Sequence, residues 1–149
     1  MRVVIQRVKS AQVNVHEKAM GTIGLGLLVL LGIAREDTRE DADNLVKKIV
    51  NLRIFDDEEG KRNLSLLDIR GEVLIVSQFT LLADCRKGRR PSFVAAAEPE
   101  EAKNLYHYFI ARVKESGVAV ATGEFQALMD VSLINHGPVT IFLDSTRVS

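Results

Sequence analysis

Alternating apolar and polar side chains predict β-structure in the first third of the chain. "MRVVIQRV" at the start is strand-like, and in "AQVNV", residues 11–15, every second side chain is apolar, as in a strand with one buried face. The polar "HEKAMG", residues 16–21, predicts a hairpin turn. "LLVLLGI", residues 27–33, is apolar throughout, which is typical of a strand buried on both faces.

Helical spacing appears twice. Asp37 or Thr38 is placed to cap a first helix, whose apolar stripe is Leu45, Val46, Ile49 and Leu52. A second helix is predicted to begin near Pro99, because proline favours the first helical position, and to end at Gly117. Its stripe is Ala102, Leu105, Tyr106, Phe109, Ile110 and Val113.

The remaining segments complete a mixed fold. A short strand is expected at the end of "NLRIF", followed by a polar surface excursion over residues 56–72. "EVLIVSQFTLL", residues 72–82, predicts the strongest internal strand, and "MDVSLI" and "VTIFLD" predict two closing strands. We therefore expect an α/β fold of about six or seven strands, a curled, barrel-like mixed sheet with two main helices packed outside. Residues 1–149 form one predicted domain.

Composition narrows the classes of partner. The 20 basic and 20 acidic residues cancel, so no long-range field marks the chain for nucleic acid or membrane. The most apolar run is too short for a membrane-spanning helix. One cysteine excludes an internal disulfide and argues for a reducing compartment, with the cytoplasm as the expected location. The three histidines are scattered, so we expect no metal site.

Two side-chain nucleophiles remain open from the residues alone. Cys85 has basic neighbours that would lower the pKa of its thiol, with His136 as a base. A triad of Ser77, His136 and Asp84 is also conceivable, although the chain lacks the G-x-S-x-G turn that exposes a catalytic serine. Nothing in the sequence places a base next to either nucleophile.

The stretch "CRKGRRPSF", residues 85–93, is the densest positive segment. Its basic residues are Arg86, Lys87, Arg89 and Arg90. It is either a solvated loop or a contact to RNA phosphates, with Phe93 available to stack on a base. No DNA partner is expected.

"NHGPVT", residues 135–140, interrupts the strand-like pattern near the end of the chain. Proline cannot donate a ladder hydrogen bond, so Pro138 marks an edge strand, a strand start or a bend. The simplest interpretation is a hairpin turn. Alternatively, a cis bond between Gly137 and Pro138 would turn a backbone carbonyl outward as a fixed recognition group.

The motif pair "SQFTLLAD", residues 77–84, and "NHGPVT" resembles that of the D-aminoacyl-tRNA deacylases. The opening "MRVVIQRVKSAQV" and the segments "GLLVLLGI", "RIFDDEEGK" and "RKGRRPSF" are similar to the same family in order and spacing. The resemblance therefore covers nearly the whole chain.

This resemblance implies a hydrolase that cleaves the ester between a D-amino acid, or glycine, and the 3′-terminal adenosine of tRNA, without a cofactor. It also implies a homodimer, in which Gly137 and Pro138 form a cis element that reaches into the partner's site and rejects L-aminoacyl-tRNA. Arg7 matches the residue that orients this element. The residues implied to form the pocket are Ser77, Gln78, Phe79 and Thr80.

Overall fold

The structure is a computed structural model that describes residues 1–148. The strands, in chain order, are β1 (Arg2–Val15), β2 (Lys18–Ile23), β3 (Gly26–Gly32), β4 (Phe55–Asp56), β5 (Arg62–Leu64), β6 (Glu72–Ser77), β7 (Ala119–Thr122) and β8 (Asp130–Asp144). The helices are α1 (Arg39–Asn51) and α2 (Pro99–Glu115), with 3₁₀ turns at Phe79–Leu82 and Ser145–Arg147. The prediction of a mixed α/β fold is confirmed.

The long strand β1 organises a six-stranded sheet. Strands β2 and β3 pair antiparallel with successive parts of β1 on one side, and β8 pairs antiparallel with β1 on the other. Strands β6 and β7 extend the sheet in parallel from β3. The sheet curls until β2 approaches β7, where a side chain on Gly21 would come within 2.7 Å of Thr122 O. The predicted barrel-like curl is therefore confirmed.

Both predicted helices form and cover one face of the sheet. Thr38 caps α1, where its backbone N–H donates to Asp41 Oδ2 at 2.7 Å, and Pro99 is the first residue of α2. Tyr106 and Phe109 of α2 are almost fully buried, since they face the sheet at helical spacing. Within residues 1–148, no helix has the length and apolarity needed to cross a bilayer.

A second, smaller core fills the inside of the curl. Its buried residues are Val8, Ala11, Val13, Ile23, Leu28, Leu74 and Val76. Side chains of a strand alternate between faces, so β3 and β6 supply both cores, as the apolar run in β3 predicted. The central strands are thus fixed from both sides, and β8 is left at an edge of the sheet.

The strand predicted over residues 72–82 is wrong in its second half. Strand β6 ends at Ser77, and residues 79–82 form a 3₁₀ turn. The neighbouring strands end at Gly32 and Thr122, so no partner continues the ladder. The apolar residue Leu82 is instead buried by the turn.

The closing segments also differ from the prediction. Residues 130–144 form one strand that pairs with β1 on both sides of residues 136–139, so the hairpin interpretation of Gly137-Pro138 is wrong. The expectation that Pro138 marks an edge strand or a bend is confirmed. The excursion at 56–72 is not wholly on the surface, because Leu66 is 1% exposed and belongs to the larger core.

The contact between Tyr106 and Ile75 ties α2 to the middle of the sheet and is open to test. The hydroxyl of Tyr106 donates to Ile75 O at 2.8 Å, and the residue is 2% exposed. We expect Tyr106→Phe to lower the free energy of unfolding by about 1 kcal/mol in urea denaturation. Tyr108→Phe is the matched control. It should cost less, because the partner of Tyr108, Asp43, is accessible to water.

Burial also raises the pKa of Tyr106 from 10.0 to about 12. An unfolded tyrosine loses its proton first, so this residue lowers the stability of the folded chain as the pH rises from 10 to about 12. The free energy of unfolding of Tyr106→Phe should therefore decline less over that pH interval than that of the wild type. Equal pH dependence of the two proteins would contradict this assignment.

Candidate active site

The end of β6 presents a short polar and aromatic surface. Gln78 leaves the sheet with φ −142° and ψ 76°, and the 3₁₀ turn then exposes Phe79 and Thr80. Ser77 and Gln78 are half-buried at its base. The four residues that the resemblance implied for the pocket are thus brought together by the turn that ends the strand.

Hydrogen bonding leaves several groups of this surface free. Gln78 Nε2 donates to Thr80 Oγ1 at 2.5 Å, so the hydroxyl of Thr80 keeps its own proton to donate. The backbone N–H groups of Phe79 and Thr80 have no acceptor within residues 1–148, as expected at the start of a helical turn. The surface therefore offers three donors that have no hydrogen-bond acceptor in the described chain.

The basic loop, which we define as residues 85–91, is anchored next to this surface. Asp84 and Ser92 exchange two backbone hydrogen bonds, of 2.7 and 2.9 Å, at its neck. Immediately beyond the neck, the rings of Phe93 and Phe79 meet edge to face with centroids 5.1 Å apart. The loop and the 3₁₀ turn consequently form one continuous exposed surface.

The cations of the basic loop are not equivalent. Arg86 forks onto the carboxylate of Asp84, with hydrogen bonds of 2.9 and 2.8 Å that lower the pKa of Asp84 to about 2. Lys87, Arg89 and Arg90 are exposed and form no salt bridge with any residue that the structure describes. Three of the four basic side chains are therefore available to an external anion.

A second cluster lies in the middle of β8, where the pairing with β1 is interrupted. The flanking register pairs are Gln6 with Thr140 and Val8 with Asn135. Arg7 alone separates these pairs on β1, whereas four residues, 136–139, separate them on β8. We call residues 136–139 the Gly-Pro element. The peptide bond between Gly137 and Pro138 is cis, as the resemblance implied.

Arg7 holds this element from inside the protein. It is 2% exposed, and its guanidinium donates to His136 O at 2.8 Å, to Gly137 O at 3.4 Å and to Ile54 O at 2.7 Å. The carboxylate of Asp56 lies 3.6 Å from Nη1. A planar guanidinium with donors in fixed directions suits such a bridge. The backbone positions of His136 and Gly137 are thus coupled to strand β1 and to the segment after α1.

The two clusters are far apart within one chain. Gly137 lies opposite Arg7, which is aligned through Leu27 with Val73, four residues before Ser77. Three strand spacings separate β8 from β6. With about 4.8 Å between strands and about 3.3 Å per residue, the separation along the sheet is roughly 20 Å. Along the sheet of one chain, the Gly-Pro element and the 3₁₀ turn are therefore separate surfaces.

The two nucleophiles left open by the sequence gain no support. Cys85 is exposed and has no hydrogen-bonded base within the described residues. In the proposed triad, Asp84 is bound by Arg86 rather than by His136. The Nδ1 atom of His136 is buried without a partner in the described chain. Neither arrangement has the contact between nucleophile and base that it needs.

Comparison with known proteins shows what the chain is related to. The sequence model of the family described as D-Tyr-tRNA(Tyr) deacylase matches residues 4–144. The chain belongs to this deacylase family. A relative named D-aminoacyl-tRNA deacylase from Thermosipho melanesiensis is 60% identical over 99% of both chains. Another of that name, from Clostridioides difficile, is 58% identical over 99% of both chains.

Solved structures agree with the deacylase fold. One, named c-Myc DNA Unwinding Element Binding Protein, superposes with a TM-score of 0.91 at 41% identity, covering 97% of this chain and 98% of that one. A probable eukaryotic D-amino acid tRNA deacylase superposes with a TM-score of 0.81 at 22% identity, covering 95% and 97%. The second likeness concerns the fold alone.

Sequence reasoning missed two residues that contact the Gly-Pro element of this deacylase. Gln6 donates to Val139 O at 3.1 Å and to Asn135 Oδ1. Gln6 precedes Arg7, and Asn135 opens the "NHGPVT" motif, so adjacency to the motif residues was the available signal. The contacts of Gln6 with Val139 and Asn135 could not be predicted from the sequence, because they depend on the register between β1 and β8.

Proposed function

We propose that this protein hydrolyses the ester between a D-amino acid, or glycine, and the 3′-terminal adenosine of tRNA, in the cytoplasm. The observation that carries the proposal is identity of about 60% over the full chain with relatives named for this activity. The exposed surface at residues 77–80, beside three free cations, supports it. The reaction releases the amino acid and an uncharged tRNA.

Chirality is the hard part of such a reaction, because the L substrate carries the same groups on the same carbon. Attractive pocket contacts discriminate weakly, since a methylene is worth only about 1–3 kcal/mol. A preference of about 10,000-fold requires roughly 5.5 kcal/mol. Selection must therefore come from steric exclusion of the wrong isomer rather than from attraction to the right one.

The Gly-Pro element supplies rigid groups suited to this exclusion. Gly137 O accepts only a long hydrogen bond from Arg7, so a lone pair remains for the α-ammonium of a D-amino acid. Backbone atoms held in this way leave no room for a side chain that projects in the L direction. Glycine has no side chain and passes the filter, and any D side chain points away from it.

The element acts on the site of a second copy of the chain. Within one chain the two clusters lie roughly 20 Å apart along the sheet, farther than an aminoacyl ester reaches. Within residues 1–148, no strand pairs with the outer edge of β8. The exposed apolar side chains of β8 are Leu133, Ile134 and Phe142. An open edge with apolar side chains is suited to association, so we propose a homodimer with two composite sites.

Hydrolysis of an activated ester needs a placed water and stabilisation of the oxyanion more than a strong nucleophile. The free N–H groups of Phe79 and Thr80 are the proposed oxyanion donors. The hydroxyl of Thr80, which already accepts from Gln78, is proposed to orient water or substrate. The 2′-hydroxyl of the terminal ribose is a further proton acceptor that the substrate itself brings.

The rates at which the D and L substrates are hydrolysed test the proposed function directly. We expect D-Tyr-tRNA to be deacylated faster than L-Tyr-tRNA by about three to four orders of magnitude in single-turnover assays. Cys85→Ala is the control for a thiol mechanism and should retain full activity, since none of the residues that the structure describes is a base hydrogen-bonded to Cys85. Equal hydrolysis of both isomers, or hydrolysis of neither, would contradict the proposed function.

A non-catalytic nucleic-acid-binding protein is the second candidate. The observation favouring it is the set of free cations in the basic loop, and one structural relative is named for binding a DNA element. Salt-dependent binding of uncharged RNA or duplex DNA without ester hydrolysis would favour this candidate. Turnover restricted to the D isomer would exclude it as the main activity.

Mixing two inactive variants tests the composite site. Gly137→Phe is intended to obstruct the partner's pocket, and Thr80→Phe to obstruct the chain's own pocket. A mixed dimer then contains one fully native site, so random reassociation should restore about a quarter of wild-type activity on D-Tyr-tRNA. Thr80 is exposed. Gly137 has no positive φ, but a Cβ atom there would lie 3.3 Å from Nδ2 of Asn135, so this flexible side chain has to shift in Gly137→Phe.

The control is a mixture of Gly137→Phe with a chain that carries both substitutions, which contains no native site in any dimer. Recovery of activity in the first mixture alone supports the proposal. If a monomer is fully active by analytical ultracentrifugation, or if both mixtures stay inactive while mixed dimers form, the composite site is wrong.

The basic loop is proposed to bind tRNA phosphates, and its two kinds of arginine provide a matched pair. Arg89 is free, whereas Arg86 is already paired with Asp84. We expect Arg89→Gln to weaken tRNA binding and to make the slope of log K against log salt shallower by about 0.7–0.9. Arg86→Gln should change the slope less. Filter binding at several salt concentrations measures both, and unchanged slopes would exclude the loop as a phosphate contact.

A further inference from the structure

The Gly-Pro element is held from two faces of the sheet, and only one of them is occupied by Arg7. Successive side chains of a strand point to opposite faces, so Gln6 lies on the face opposite Arg7. We propose that Gln6 is a positioning residue that fixes the Gly-Pro element and thereby sets the discrimination between D and L substrates. This inference rests on the proposed function.

Gln6 uses both ends of its side-chain amide on the flanks of the element. Its Nε2 donates to Val139 O at 3.1 Å and to the side chain of Asn135, and its Oε1 accepts from Thr140 Oγ1 at 2.5 Å. Gln6 and Thr140 are also directly paired across the two strands. One side chain therefore connects the residue before the element, its last residue and the residue after it.

The contacts of Gln6 and Arg7 are complementary. Arg7 binds the carbonyls of His136 and Gly137, in the first half of the element, whereas Gln6 binds Val139 O in the second half. The Gly137-Pro138 bond lies between the two points of attachment. Loss of either attachment would leave the element joined to β1 on one side only, and the position of the Gly137 carbonyl would be less restrained.

Asn135 transmits the restraint from Gln6 to Gly137 itself. A Cβ atom built on Gly137 would lie 3.3 Å from Asn135 Nδ2 and 3.7 Å from its Cγ, so the amide of Asn135 packs beside the α-carbon of Gly137. The other end of that amide, Oδ1, accepts from Gln6. The chain of contacts from Gln6 through Asn135 ends at the residue whose carbonyl is proposed to face the substrate.

The test compares Gln6→Leu with Gln12→Leu. Leucine approximates the size of glutamine and removes its hydrogen bonds. Gln12 is an internal control, because it is also a half-buried glutamine of β1 paired with β8 and is bonded to other polar side chains. It lies well outside the Gly-Pro element. Rates on D-Tyr-tRNA and L-Tyr-tRNA are measured under single turnover, together with the midpoint of thermal unfolding.

We expect Gln6→Leu to lower the D-to-L rate ratio by about tenfold, mainly through faster hydrolysis of the L substrate. Gln12→Leu should leave the ratio unchanged even if its unfolding midpoint falls equally. A purely structural role for Gln6 would reduce both rates together and preserve the ratio. A wild-type ratio in folded Gln6→Leu would overturn the inference while leaving the proposed function intact.

Thr140→Val provides a second variant that keeps a β-branched side chain on the strand. It removes only the bond to Gln6 Oε1, so we expect a change in the D-to-L ratio in the same direction and of about threefold. If Gln6→Leu does not fold, an unchanged ratio in Thr140→Val overturns the inference. If the wild type itself shows no preference for the D isomer, the proposed function fails first.

Discussion

The buried guanidinium of Arg7 is the constraint around which the rest of the site is arranged. It lies on β1 opposite the residues where β8 leaves the ladder, and there it donates to the carbonyls of His136 and Gly137. It also donates to Ile54 O, in the segment after α1. A buried cation of this kind is costly unless its donors are satisfied. The carbonyls of residues 136 and 137 therefore satisfy donors of Arg7 in place of water. The conformation of these two residues consequently depends on β1 and on the segment after α1.

The curled sheet fixes the position of the Gly-Pro element relative to the 3₁₀ turn. Strand β1 carries Arg7, supports the edge strand on one side and connects through β3 to the 3₁₀ turn on the other. The two faces of the central strands are filled by separate cores, so the distance between the Gly-Pro element and the turn is set by strand spacing. The element proposed to select the substrate and the surface proposed to react with it are therefore both fixed and separate, as the proposed site between two subunits requires.

The sequence predicted the parts of the fold that follow from local periodicity, and its failures have physical causes. Both helices follow from apolar spacing, and the turn after β1 follows from its polar residues. Residues 18–21 of that predicted turn nevertheless belong to strand β2, which the sequence did not predict. Residues 79–82 were misassigned because Leu81 and Leu82 continue the apolar pattern of β6, although the neighbouring strands have already ended. The sequence did not predict that residues 130–144 form a single strand, because their pairing partner, β1, lies more than a hundred residues away in the chain.

The sequence likewise indicated only some of the candidate site residues. Arg7, Gly137 and the residues from Ser77 to Thr80 were assigned to the site through the likeness of whole motifs, and their roles stay predictions. Gln6 was not, since a polar residue in an alternating strand normally indicates a solvent-facing position. Its contacts depend on which residue of β8 lies opposite, and no local pattern encodes that register.

The break in β8 also shortens the edge of the sheet that another chain could pair with. An uninterrupted edge strand of 15 residues would be a long template for recruiting foreign strands. The four-residue excursion divides that template into the stretches 130–135 and 140–144, and Pro138 has no N–H to offer an incoming chain. A feature proposed for substrate selection thus also shortens the exposed strand edge through which a newly made chain could aggregate.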